Sequence, residues 1–139
     1  MIDKDKTAHI FAVARLMADK AELLGLDKQE MFTLGLVHDI GFEFGGSETH
    51  HQEGAEILKK QNYKYWQEVL HHGKPTQEFQ SKALDLLNYA DMHIDKCGKF
   101  VSFEDRLKDI ALRRGEDSPH YKNSQIVIKQ LEERLNIDF

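Results

Sequence analysis

No stretch of this chain approaches the ~20 consecutive apolar residues of a membrane span. Its first residues, Met1-Ile2-Asp3-Lys4-Asp5-Lys6, are charged, with no hydrophobic run behind them. Neither an integral membrane protein nor a conventionally secreted one is therefore expected, and a cytoplasmic location is. There is one cysteine, Cys97, which can close no internal disulfide, builds no thiolate metal cluster and suits a reducing compartment. Positive charge is not in excess: 19 Lys and Arg face 24 Asp and Glu, leaving a formal net charge of −5. General nucleic-acid binding is not expected on that balance, although a local basic pocket is compatible with it. The chain also lacks Asn-Gly and Asp-Gly pairs and any alternating apolar–polar run bounded by turns, which excludes hairpins as the main architecture. It carries no repeat, low-complexity segment or linker.

What remains is 139 residues, 40% hydrophobic and 31% charged, a globular composition. That length suits one domain over 1–139, whose core buries roughly two-thirds of the unfolded chain's surface without disulfide staples. The patterning is helical throughout, an all-α bundle of six to seven helices. Ile10, Val13, Ala14, Met17 and Ala21 recur at three- and four-residue spacing between Thr7 and Leu24, and Gly25 stops that helix. Asp27 with Glu30 three residues on reads as a capping box for a helix carrying Met31, Leu34 and Gly35 toward His38. Gly41, Gly45 and Gly46 break the chain; Thr49 with Gln52 reads as the next capped start, followed by Ala55, Ile57 and Leu58. A short segment from Tyr65 to Leu70 precedes Gly73 and Pro75. Ala83, Leu84, Leu87, Ala90 and Ile94 place a long helix between Gln77 and Asp95. Ser102 caps a helix from Phe103 to Arg114, and Ser118-Pro119 opens the last one, carrying Ile126, Ile128 and Leu131. The loops at 41–47 and 98–102 are expected to be the mobile parts.

Ionisable side chains lie on apolar faces. His38 stands one turn beyond Leu34, Asp91 four residues after Leu87, and His9 four before Val13. A lone buried carboxylate costs several kcal/mol unless an opposite charge meets it. Lys and Arg cluster on the outer faces of these helices, so a bound metal is the better partner for Asp39 and Asp91, with neutral imidazoles as further ligands. Taken singly, each position has an ordinary alternative. A buried His is often a hydrogen-bonded core residue, a buried Asp a helix cap, and a His-His pair a helix end favoured by the dipole. One cation explains all of them together.

The series His9, Leu36-Val37-His38-Asp39-Ile40-Gly41, His50 before Gly54-Ala55-Glu56-Ile57-Leu58, Leu70-His71-His72-Gly73 and Tyr89-Ala90-Asp91 resembles the HD-domain superfamily of metal-dependent phosphohydrolases. It covers a motif core at 7–95, with the helices of 102–139 as packing elements that also close the pocket or support a homodimer. The resemblance implies a single-domain HD-type helical bundle. His9, His38, Asp39 and Asp91 match the ligands of its one-metal site. His50 matches an extra ligand of two-metal members, and the pair His71 and His72 supplies another: the spacing to Asp91 favours His72, His71 could serve, and in some members both neighbouring histidines bind metal. Asp39 would bridge the ions, and Asp39 with His38 would form the catalytic pair. Two ions ~3.5–4 Å apart lower the pKa of a shared water and accept charge on phosphoryl oxygens. Imidazole and carboxylate donors without thiolate fit Fe or Mn, and also Co, Ni, Zn or Mg.

The expected activity is hydrolysis of a nucleotide or other small phosphate ester by a metal-activated hydroxide. The spacing is nearest to bacterial diadenosine tetraphosphate hydrolases, although their His-Thr-Thr-Gly element is here His71-His72-Gly73-Lys74. The Gly-Tyr-Pro element of the cyclic-dinucleotide phosphodiesterases is missing, and Phe42 stands where they carry lysine. Alternatives are a di-iron oxygenase built on the same ligands and a non-catalytic metal- or nucleotide-binding module. Lys74 and Lys96, with Lys99, flank the candidate ligands and are substrate-phosphate candidates. Phe42 and Phe44 are candidates for stacking on a base. His93 reads as a bystander, and His120 carries no chemical signature.

Overall fold

In the computed structural model the described residues are 4–39, 46–75 and 79–135, of which 46–51 are described by their backbone alone. Among the described residues seven α-helices follow one another: α1 (Lys4–Lys20), α2 (Lys28–Val37), α3 (Gly46–Lys60), α4 (Trp66–His71), α5 (Lys82–His93), α6 (Phe103–Arg114) and α7 (Pro119–Arg134). A 3-10 turn at Ala21–Leu24 closes α1, ending at Gly25 with φ 71°. The only β-structure among the described residues is an isolated antiparallel bridge between Ile94 and Phe100. No helix among them is long and apolar enough to cross a membrane. The all-α bundle read from the pattern is the fold observed.

Local capping sets where most helices begin. The Asp27 carboxylate accepts from the Glu30 amide, the Ser102 hydroxyl from the Asp105 amide and the Ser118 hydroxyl from the Tyr121 amide. Each satisfies one of the donors that a helix start leaves open. Two starts differ from the pattern. Helix α5 begins at Lys82 rather than near Gln77 because the Ser81 hydroxyl caps it, accepting from the Leu84 amide at 3.0 Å; Gln77 itself lies outside the described residues. Helix α3 begins at Gly46, upstream of Thr49, and its Ala55 and Leu58 pack into the core.

Helix α5 is the axis of the fold, with α1, α2, α4, α6 and α7 all packed against it. Its Leu86, Leu87 and Ala90 join Val13 and Met17 of α1, Met31 and Leu34 of α2, Val69 of α4, and Val127 and Leu131 of α7 in one core. Helix α3 leans on α4. An ion pair between Arg134 and Asp85 at 3.2 Å ties the end of α7 to the start of α5.

Helices α1 and α2 cross with almost no space between their backbones. A Cβ built on Gly35 would lie 2.4 Å from the Ala14 Cα and 2.8 Å from its amide nitrogen. Backbone cannot yield as a flexible side chain does, so the crossing requires glycine. Gly35→Ala should therefore destabilise the protein by about 1–3 kcal/mol, despite a helix propensity that favours alanine by about 1 kcal/mol. Urea unfolding followed by circular dichroism measures this, and an unchanged or raised midpoint would refute the tight crossing.

Candidate metal centre

Four helices deliver the ionisable residues to one place. His9 sits on the inner face of α1, one turn before Val13, and is 4% exposed. His38 is the C-cap of α2 with Asp39 directly after it, and His72 is the C-cap of α4. Asp91 lies in the last turn of α5. The imidazoles share one local device. His38 Nδ1 donates to the carbonyl of Gly35 and His72 Nδ1 to that of Val69, each at 2.6 Å and each three residues back. His9 Nδ1 donates to the carbonyl of Asp95 at 2.9 Å. A carbonyl has no proton to give, so each Nδ1 is the donor, and each neutral ring is left with a bare Nε2.

All three Nε2 atoms face carboxylates. His9 Nε2 is 2.9 Å from Asp91 Oδ1, and His72 Nε2 is 3.3 Å from Asp39 Oδ1. His38 Nε2 lies 3.1 Å from Asp39 Oδ2 and 3.6 Å from Asp91 Oδ1. Fully buried, it nonetheless has hydrogen-bond geometry to neither. Two overlapping sets result, His9–His38–Asp39 and His38–His72–Asp91, with donor atoms within 4.8 Å of one another in each.

Acceptor facing acceptor in a buried site is repulsive unless positive charge stands between. Burial alone would depress the His38 imidazole, but Asp39 and Asp91 outweigh it and push its pKa up to about 10. Burial would raise the Asp91 carboxyl, yet His38 and His9 beside it hold it well below the usual carboxylate range. The backbone adds to the same field. His38, Asp39, His72 and Asp91 stand at the C-terminal ends of α2, α4 and α5, where helix dipoles are negative and favour a cation. Buried Nε2 lone pairs, two carboxylates and three negative helix ends fit a hard or borderline divalent metal. Cys97, the one thiol, is exposed and belongs to neither set.

Supporting contacts come from beyond the motif core. The turn after α5 was expected to be mobile, but it is pinned: the Asp95 carboxylate accepts from the amides of Cys97 and Lys99, each at 2.9 Å, and the Ile94–Phe100 bridge closes it. Gly98 there has φ 88°, and a Cβ on it would lie 2.7 Å from the Ala8 carbonyl, so the turn presses directly on α1 beside His9. Arg106 of α6, 6% exposed, donates through Nε to the Asp91 carbonyl at 3.2 Å. Its Nη1 lies 3.4 Å from Asp109, which also pairs with Arg113 at 3.1 Å. The His93 ring stacks on Phe100 and Phe103 and its Nδ1 donates to the Val101 carbonyl, a structural role consistent with its reading as a bystander.

The structure thus brings together His9, His38, Asp39, His72 and Asp91. His71 belongs to neither set, its ring stacking on Phe79 at 5.4 Å. The side chain of His50, and Phe42 and Phe44, lie outside the described residues. Lys74 and Lys96 are exposed on turns, and neither forms a hydrogen bond or ion pair with the cluster among the described residues. One expectation is corrected: Lys and Arg are not confined to outer faces. Arg106 is buried, and Lys6 Nζ donates to Asp39 Oδ2 at 2.7 Å. Both were legible by spacing. Lys6 is one turn before His9 on the same face, and Arg106 one turn before the buried Ile110.

Comparison with known proteins agrees with this geometry: the model of the HD domain family matches residues 7–110. The chain belongs to the HD domain family. This places it in a superfamily of metal-dependent phosphohydrolases whose domains bind divalent metal ions, and the His/Asp cluster is compatible with that. The HD domain is also similar to ribonuclease Y of Mycoplasma capricolum subsp. capricolum and of Mycoplasma mycoides subsp. mycoides SC. Each is 44% identical over 57 residues, which is 40% of this chain and only 11% of the relative. No solved structure matches the chain.

Since only His72 of the adjacent pair belongs to the two sets among the described residues, the pair gives a discriminating test. His72→Ala should lower metal content per chain, whereas His71→Ala should leave it unchanged, both read by elemental analysis of protein purified without chelator. Arg106→Ala, by loosening the backbone that carries Asp91, should weaken metal affinity about 10- to 100-fold, as loss of an outer-shell partner does. Titration with a divalent ion measures that, and unchanged affinity would limit Arg106 to packing.

Proposed function

We propose that this HD domain is a metal-dependent phosphohydrolase acting on a nucleotide or another small phosphate ester. His9, His38, Asp39, His72 and Asp91 are its proposed metal ligands, with His50 as a further one. The observation that carries this is the buried His38 Nε2, which lies 3.1 Å and 3.6 Å from two carboxylates without a hydrogen bond to either. A divalent ion, or a pair of ions with Fe or Mn favoured, would supply there a water of lowered pKa and Lewis acidity toward phosphoryl oxygens.

The chain's own residues do the orienting. Each Nδ1 bond to a backbone carbonyl fixes its imidazole's tautomer and ring direction, so the donor atoms need no rearrangement to meet a cation. The two oxygens of Asp39 face different imidazoles, His72 through Oδ1 and His38 through Oδ2, an arrangement that suits a bridging carboxylate. The near-complete burial of His38 and His72 keeps water from competing for those atoms. Family membership supports the class of chemistry, and the partial likeness to ribonuclease Y adds an RNA phosphodiester to the substrates worth testing. The excess of acidic residues favours a small substrate over a broad nucleic-acid surface.

Protein loaded with Mn(II) or Fe(II) should hydrolyse at least one member of a panel of nucleotides, dinucleoside polyphosphates, phosphate monoesters, cyclic dinucleotides and short RNA. His38→Ala and Asp91→Ala should fall to background while keeping the wild-type helical circular dichroism. A metal-loaded wild type inert across that panel would overturn the proposal. Oxygen consumption with an organic substrate would instead favour the oxygenase chemistry that the same ligand set permits.

A further inference from the structure

Helix α4 is only six residues long, and a helix that short does not hold its shape in water without tertiary support. Two side chains from α5 and its cap supply anchors. At the start of α4 the Ser81 hydroxyl donates to the buried Glu68 carboxylate at 2.8 Å. Just past its end Asn88 Oδ1 accepts from the Gly73 amide, also at 2.8 Å. Asn88 is 5% exposed, and its neighbours Leu87 and Tyr89 are buried as well. A carboxamide taken out of water carries a desolvation cost that its hydrogen bond must offset. Asn88 also stands three residues before Asp91, one turn back along α5.

The amide that Asn88 accepts from belongs to the peptide that decides where His72 points. His71 to Lys74 form a type II turn. His72 has φ −63° and ψ 144°, Gly73 has φ 76°, and the Lys74 amide donates to the His71 carbonyl at 3.3 Å. In the competing type I turn ψ at the first central residue is about −30°, which rotates the following peptide and swings its amide away. The bond from His72 Nδ1 to the Val69 carbonyl stays within α4 and its cap, so it fixes the ring to that helix alone. Asn88 makes the link across helices, from the residue after His72 to the helix that carries Asp91. Resting on the reading of His72 as a metal ligand, we infer that Asn88 is a positioning residue of this centre. Through the Gly73 amide it holds the turn in the conformation that aims His72 Nε2 at the ion.

The test titrates the full chain with Mn(II) by calorimetry, comparing wild type, Asn88→Leu, Asn88→Asp, His72→Ala and the double variant His72→Ala with Asn88→Leu. Leucine fills the space without an acceptor, whereas aspartate keeps an acceptor oxygen at the same reach. Mn(II) affinity should fall about 10- to 100-fold in Asn88→Leu, as on loss of an outer-shell partner, and stay within about threefold of wild type in Asn88→Asp. The double variant should match His72→Ala within about threefold, because a residue that acts through His72 has nothing to act on once that imidazole is gone.

Unchanged affinity in Asn88→Leu overturns the inference. A double variant showing the full product of the two single losses also overturns it, because Asn88 would then support the fold independently of His72. If Asn88→Leu loses the wild-type helical circular dichroism, Asn88→Asp decides: affinity within about threefold of wild type supports the inference and a larger fall overturns it. The two proposals fail distinguishably. A wild type that binds no Mn(II) sinks the metal-dependent reading and this inference with it. A wild type whose affinity depends on His72 but not on Asn88 sinks this inference alone.

Discussion

Everything at this centre follows from three imidazoles pinned at Nδ1 by backbone carbonyls. Those bonds turn the Nε2 of each ring inward, against two carboxylates in the interior of a helical bundle, and leave it a bare acceptor whenever the ring is neutral. Such an arrangement is stable only around positive charge, since acceptors facing acceptors out of water repel. Protons on the rings answer part of this demand, as the raised pKa of His38 reflects. Lys6 answers another part at the solvent side. A divalent ion answers it most fully, because it meets several lone pairs at once, whereas a proton meets two.

The helical architecture contributes to that demand rather than merely hosting it. Side chains at the ends of α2, α4 and α5 converge there, so backbone carbonyls left without amide partners add negative potential at the same point. Helix ends also explain how adjacent residues can address one ion. In mid-helix His38 and Asp39 would diverge by about 100°; past the end of α2 the chain turns, and both reach the cluster. The same geometry separates His71 from His72. His71 is the last residue of α4 and follows the helical spiral outward to Phe79, while His72 has the extended conformation of the C-cap (φ −63°, ψ 144°) and turns inward.

Most of this was legible in the sequence because it rests on local rules. Helical periodicity, the serine and aspartate caps and the apolar faces carrying His9, His38 and Asp91 all depend on neighbours three or four residues away. The unreadable features depend on distant parts of the chain. Gly35 reads as an ordinary helical position until Ala14 is found against it. Ser81 competes with the helical signal of the residues before it, and only the capping hydrogen bond decides. Lys6 and Arg106 were missed for a different reason. Both lie on buried faces by spacing, but a basic residue is ordinarily assigned to solvent because its long stem can carry the charge outward. Here the stems lead inward, toward the carboxylate and the backbone carbonyl that attract them.

That second omission changes where the functional unit ends. A motif core stopping at residue 95 contains every candidate ligand, yet the carbonyl that orients His9 belongs to Asp95 itself. Its position is fixed by the turn that follows: the Gly98 amide donates to that carbonyl at 3.1 Å, and the Asp95 amide donates to the Lys99 carbonyl at 2.9 Å. The last turn of α5 is held in turn by Arg106, eleven residues farther along than Asp95 and on another helix. Ligand side chains are only as well placed as the backbone behind them, so α6, which contributes no ligand, belongs to the centre as fully as the helices that do.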